Sequence, residues 1–173
     1  VEARGADGVD VNMGCPVPKI ARHSAGCGLM REPAHAAAIV SAMARAVAIP
    51  VTVKMRAGWS AREVNAPEIA RRVADAGAAA VTVHGRTAEQ AYRGQADWDL
   101  VARVAQAVSI PVFGSGDLMD AQQIVDRLRT TPVAGVLVGR GILHNPWLIA
   151  QAADELTGRP ARVVAAGDRR RFL

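Results

Sequence analysis

Residues 46–56 read AVAIPVTVKMR, and residues 107–117 read AVSIPVFGSGD. Each stretch leaves a helix end, turns at an Ile-Pro pair, runs through a short aliphatic strand and finishes on polar or glycine residues. Proline disfavours helix just before it, and β-branched residues favour strand just after it. A second form of the same unit recurs as GADGVDVNMG at 5–14, GAAAVTVHGR at 77–86 and PVAGVLVGRG at 132–141. Together these predict strands over Val9–Met13, Val51–Met55, Ala80–His84, Pro111–Gly114 and Gly135–Val138. Helices are expected over Pro33–Val47, Arg62–Ala76, Trp98–Val108, Ala121–Arg129 and Pro146–Leu156. Pro33 and Pro146 suit a first helical turn, Asp120 reads as an N-cap, and Gly77 stands just past a helix end.

Strand followed by helix, five times over, implies parallel strands joined by right-handed crossovers. The short apolar runs predict strands covered on both faces. The fold class is therefore α/β. A closed (β/α)8 TIM barrel needs eight such units and typically ~250 residues. The 173 residues supply five. The chain is thus an open sheet, or roughly the last five βα units of a barrel whose other strands precede Val1.

Half of the residues are hydrophobic but only 3% are aromatic, so alanine, valine and isoleucine must fill the core. The net charge of +5 rests on arginine, since Lys19 and Lys54 are the lysines. Arginine's planar fork suits phosphate and nucleic acid, although GC-rich coding yields the same bias. Two cysteines make no disulfide framework, and no apolar run reaches the ~18 residues of a membrane span. A cytoplasmic protein with no membrane partner is expected.

The chemistry-bearing residues all follow strands, as in (β/α)8 barrels and open α/β sheets alike. GSGD (114–117) and VGRG (138–141) each lie between a strand and a helix, where glycine lets main-chain N–H groups approach a phosphate. As a pair on the last two strands they read as a phosphate site rather than as ordinary turns. Lys54, beside Arg56, places a cation where it can hold an anionic ring or a phosphate. His84 is either a donor to a ring or carbonyl, or a satisfied core histidine. Cys15 is held between Gly14 and Pro16. A thiol of ordinary acidity, pKa about 8.5, is mostly protonated at neutral pH and can donate; with a base nearby it becomes a nucleophile. Cys27, among small and apolar residues, reads as packing. His23, His35 and His144 show no metal-ligand spacing, so no metal is expected.

VDVNMGCPVPKIARHSAGCGLM (9–30), followed by VTVKMRAGW, VTVHGRT, GSGD and LVGRG, resembles the bacterial tRNA-dihydrouridine synthases from Gly5 to about Leu156. The resemblance implies an FMN-binding (β/α)8 barrel that reduces uridine in tRNA to 5,6-dihydrouridine, with NADPH as electron donor. It implies hydride transfer from reduced flavin to C6 of uracil, and protonation of C5 by Cys15. It places Lys54 beside the flavin ring and His84 near flavin and base, and it has Asn12 and Arg56 line the uracil pocket. Ser115, Gly116, Asp117, Gly139 and Arg140 match the loops that hold the FMN phosphate. Ser115 departs from the asparagine usual there, which puts that one contact in question. The resemblance further implies that residues 1–160 are part of the catalytic barrel. Residues 161–173 would then lead to a helical tRNA-binding domain, in a full-length enzyme expected to be monomeric. Two rival readings remain: another FMN-dependent barrel oxidoreductase resembling dihydroorotate dehydrogenase, and an inactive truncated product.

Overall fold

The structure, a computed structural model, describes residues 1–21, 24–160, 162–165 and 167. Five parallel strands form one sheet in chain order: β1 (Val9–Met13), β2 (Val51–Arg56), β3 (Ala80–His84), β4 (Val112–Ser115) and β5 (Gly135–Leu137). The helices are α1 (Pro18–Ala21), α2 (Pro33–Ala46), α3 (Ala66–Asp75), α4 (Trp98–Ala107), α5 (Ala121–Thr130), α6 (Arg140–His144) and α7 (Leu148–Leu156). Successive βα units in sequential strand order are the arrangement of part of a (β/α)8 barrel. Among the described residues, no helix is long and apolar enough to cross a membrane. Residues 168–173 and His23 lie outside the described set, as does Ala161, so the expected linker is described only in part.

Right-handed crossovers between strands in sequential order put the connecting helices α2–α5 on the same side of the sheet. On that side Val11, Met13, Val53, Met55, Val81 and Val83 are buried with Val40, Ile69, Val73, Val101 and Val104. Each such side chain contributes about 1.5–3 kcal/mol by leaving water. The expectation of two covered faces does not hold. The intervening residues Asp10, Asn12, Thr52, Lys54, Thr82 and His84 are exposed or half-buried. VDVNM, VTVKM and AVTVH alternate apolar with polar, and that period of two is the signature of a sheet with one apolar and one polar face.

Two helix starts differ from expectation. α3 begins at Ala66 rather than Arg62, because Trp59 N–H donates to the Glu63 carbonyl and Gly58 pairs with Val64, folding that stretch into a turn. The last expected helix starts two residues late, and a short helix that was not expected, α6, precedes it. Asn145, preceding Pro146, is extended at φ −140°, as proline demands of its neighbour, and α7 starts only at Leu148. Asp120 caps α5 as expected, accepting the Gln123 N–H at 2.8 Å, and Asp97, not singled out from the sequence, caps α4 by accepting the Leu100 N–H at 2.8 Å.

Candidate active site on the polar face

Parallel register stacks the polar side chains in rows across the uncovered face. Asn12 pairs with Lys54, and Lys54 with Thr82; one row nearer the carboxyl ends, Arg56 pairs with His84, and His84 with Ser115. Four neighbouring strands thereby deliver their polar side chains to one region.

The turn after β1 is shaped by Asn12. Its Oδ1 accepts the N–H groups of Gly14 at 3.0 Å and of Cys15 at 3.1 Å, closing the loop over its own strand end. The Cys15 carbonyl then accepts the Cys27 N–H at 3.0 Å. Cys27 itself is fully buried, as its small and apolar surroundings suggested, and burial pushes its thiol pKa up. Cys15 is half-buried with a free thiol. Arg56 clamps the same turn from below. Its Nε donates to the Gly14 carbonyl at 2.8 Å, and its Nη1 donates to those of Thr87 and Ala91 at 3.0 and 2.9 Å. One guanidinium thus joins the turns after β1 and β3, and its charge acts on both cysteines.

Lys54 lies beneath Gly14. Burial, and then the Arg56 charge, lower its pKa against the pull of Asp10. Among the described residues its ammonium has no hydrogen-bond or ion-pair partner. His84 is driven from 6.5 down to about 4, by burial first and then by the charges of Arg56, Lys54 and Arg86, with Asp117 opposing. The ring is therefore neutral at physiological pH.

The turn after β4 depends on glycine. Gly116 has φ +125°, and a Cβ there would lie 2.5 Å from the Ala96 Cβ. Asp117 follows at φ +54°, its carboxylate accepting the Ala96 N–H at 2.7 Å and two contacts from Arg86. Gly139, after β5, is different: a Cβ there would meet nothing within 4 Å. Arg140, half-exposed, reaches Asp117 at 3.5 Å and lies 4.7 Å over the Tyr92 ring.

Lys54, His84, Ser115, Gly116, Asp117, Gly139 and Arg140 all line one cavity of about 170 Å³. Every residue that the sequence assigned to cofactor binding is in it. Asn12, Cys15 and Arg56 do not line it; Asn12 is the register partner of Lys54 and Arg56 that of His84, and Cys15 lies in the turn after β1. Lys54, Arg56, Arg86 and Arg140 outnumber the Asp117 carboxylate, so the region favours an anion. A larger cavity of about 680 Å³, bordered by Pro16, Gly28, Arg31 and Trp59, contains neither glycine turn. Its arginine is already paired with Glu63 at 3.2 Å, and Glu32 and Glu89 also line it, so it offers no unpaired cation of the kind that the smaller one has.

Sequence reasoning assigned no role to Arg86 or Tyr92. Tyr92 is the chain's one tyrosine, 60% exposed, its ring 6.4 Å from the His84 ring between centroids and inclined to it by 72°. A lone tyrosine in a strand-end loop was the available signal. Arg86 ends VTVHGR among the strand-end residues, but nothing there gave it a role or marked it as buried.

The profile of the family described as Dihydrouridine synthase (Dus) matches residues 1–169. The chain is 46% identical over 155 residues to a "Probable tRNA-dihydrouridine synthase" of Rhodobacter capsulatus, covering 90% of this chain and 48% of that one. It is 46% identical to "Probable tRNA-dihydrouridine synthase 1" of a Synechocystis species, covering 86% and 42%. It is 43% identical to "tRNA-dihydrouridine synthase B" of Xanthomonas campestris, covering 88% and 46%. The chain spans about half the length of these curated relatives. With the strand-end turns, their glycines and the Cys15 loop all in the matched region, the chain belongs to the dihydrouridine synthase family.

Proposed function

We propose that this chain forms part of a flavin-dependent enzyme that reduces uridine in tRNA to 5,6-dihydrouridine. The observation that carries the reading is Lys54, a half-buried ammonium with no described protein partner, in one cavity with His84 and both glycine turns. A desolvated, unpaired cation is costly unless an anion or a polar ring completes it. FMN fits these residues. Arg140 and the Ser115–Asp117 turn would hold its phosphate, Gly139 leaves room for a close approach, and Lys54 and His84 would meet the ring. Bound there and reduced with NADPH, FMN would supply the hydride for C6 of uracil.

The chain's own residues account for the remaining chemistry. The Cys15 thiol gives its proton to C5; its S–H bond breaks as the C5–H bond forms, and the thiolate remains within reach of the Arg56 charge. Asn12 positions that thiol through the Gly14 and Cys15 N–H groups. The Asn12 amide NH2, and the Arg56 N–H groups not spent on the three carbonyls, are the donors proposed for the uracil carbonyls as charge develops there. A base stacked within folded tRNA must turn out of its stack to reach this row. The arginine-rich surface would meet the RNA backbone by charge.

Residues 1–160 are read as one part of the catalytic barrel. The purified intact protein is expected to show flavin absorbance and, with NADPH, to introduce dihydrouridine into tRNA from cells lacking the enzyme. A colourless protein that leaves the tRNA unchanged contradicts the proposal.

A further inference from the structure

Arg86 is the most heavily committed side chain at the site. It is 2% exposed. Its Nε donates to the Arg93 carbonyl at 3.1 Å, and its Nη2 donates to the Gly94 carbonyl at 2.6 Å and to both Asp117 oxygens. Nη1 faces the His84 Nε2 at 3.5 Å and has no other acceptor among the described residues.

A guanidinium offers five N–H donors and no acceptor, and it stays protonated. The contact is a hydrogen bond only if Nε2 presents its lone pair. A neutral imidazole has one such nitrogen and carries its proton on the other. A proton on Nε2 would set N–H against N–H and leave the buried Nη1 group without a partner. The rest of the surroundings agree. Arg56 is the ring's register partner, Lys54 lines the same cavity, and the nearby carboxylate, Asp117, is engaged by Arg86 itself. Tyr92 lies with its ring steeply inclined to the imidazole, the centroids 6.4 Å apart.

We infer that Arg86 is a positioning residue that fixes His84 as the neutral tautomer with its proton on Nδ1. His84 then acts as a hydrogen-bond donor through Nδ1 and holds no proton to give at Nε2. The tautomer stands on this geometry. Its consequence, that the proton on the product comes from Cys15 and not from His84, rests on the function proposed above.

Nitrogen–proton correlation spectra of the intact protein with labelled histidine read the tautomer directly. The His84→Gln variant identifies the His84 signals among the chain's four histidines. The expected spectrum has His84 Nδ1 protonated and Nε2 bare, unchanged from about pH 8 to well below the ordinary histidine pKa of ~6.5. A dominant Nε2–H form, or a His84 midpoint near that ordinary value, overturns the inference.

In Arg86→Gln and Arg86→Lys, the Nε2–H form should appear. In Arg86→Gln, which also loses the charge, the midpoint should rise by about one pH unit or more. Folded variants of both kinds that keep the wild-type tautomer and titration would reduce Arg86 to a structural tie. If neither folds, the wild-type spectrum alone decides the tautomer. The measurement needs no turnover. A protein that fails to reduce uridine yet shows the Nδ1–H ring counts against the proposed function and leaves this inference standing.

Discussion

One guanidinium nitrogen of Arg86 lies 2.7 and 2.8 Å from the two carboxylate oxygens of Asp117, tying the turn after β3 to the turn after β4. Burial raises the Asp117 pKa, but hydrogen bonds from the Ala96 N–H and from Arg86, with the charges of Arg86 and Arg140, outweigh it and hold the carboxyl below its usual range. Asp117→Asn should therefore lower stability by roughly 1–3 kcal/mol at neutral pH, the scale of a hydrogen bond to a charged group. A folded pKa below the unfolded one gives stability that is present above the unfolded value and lost as pH falls through the folded value. Denaturant melts of both proteins should converge below about pH 4. A gap that stays constant down to acid would show that the charge is immaterial.

His84 supplies a second pH dependence with a different window. Its folded value near 4 lies below the ordinary 6.5, so the unfolded chain binds the extra proton between them. Wild-type stability should fall on acidification through that window, by on the order of 2 kcal/mol once solvent screening is allowed for. His84→Gln should flatten that part of the curve. Parallel curves for the two proteins would mean that the ring is not held neutral by the fold.

Much of this was legible in the sequence, because the signals were local. The β1 and β3 bounds agree to the residue, since each strand lies between small-residue turns and a polar end. The rows were less legible. That Asn12, Lys54 and Thr82 share one line depends on register between strands, which no local pattern encodes. Arg56 was read as lining a pocket, while its bonds to Gly14, Thr87 and Ala91 arise only when two loops meet over it. The uncovered face was written in VDVNM and VTVKM. The short apolar runs at these strands mask the alternation there.

Gly116 and Gly139 should separate folding from binding. Gly116→Ala adds a methyl 2.5 Å from the Ala96 Cβ at φ +125°, and should destabilise by roughly 1–3 kcal/mol. Gly139→Ala meets nothing within 4 Å, so stability should stay within about 0.5 kcal/mol while flavin affinity drops. Thermal melts beside flavin titrations check both. Unchanged flavin affinity in Gly139→Ala would remove that turn from the phosphate cradle.

Lys54→Met removes a desolvated, unpartnered charge while keeping most of its apolar stem. Stability should be unchanged or slightly raised, because no protein contact is lost. Flavin affinity should fall roughly ten-fold or more, the equivalent of about 1.4 kcal/mol. Fluorescence quenching of added flavin measures it, and an unaltered dissociation constant would leave Lys54 without a ligand.

The most direct test compares wild type with Cys15→Ser in the intact protein, scoring bound flavin, its reduction by NADPH and dihydrouridine formed in tRNA. With the Asn12 and Arg56 supports untouched, the variant should bind and reduce flavin as wild type does, yet form dihydrouridine at least about 100-fold more slowly, the usual scale for losing a positioned acid. Dihydrouridine formed within a few-fold of the wild-type rate would contradict the assignment of the proton to this thiol.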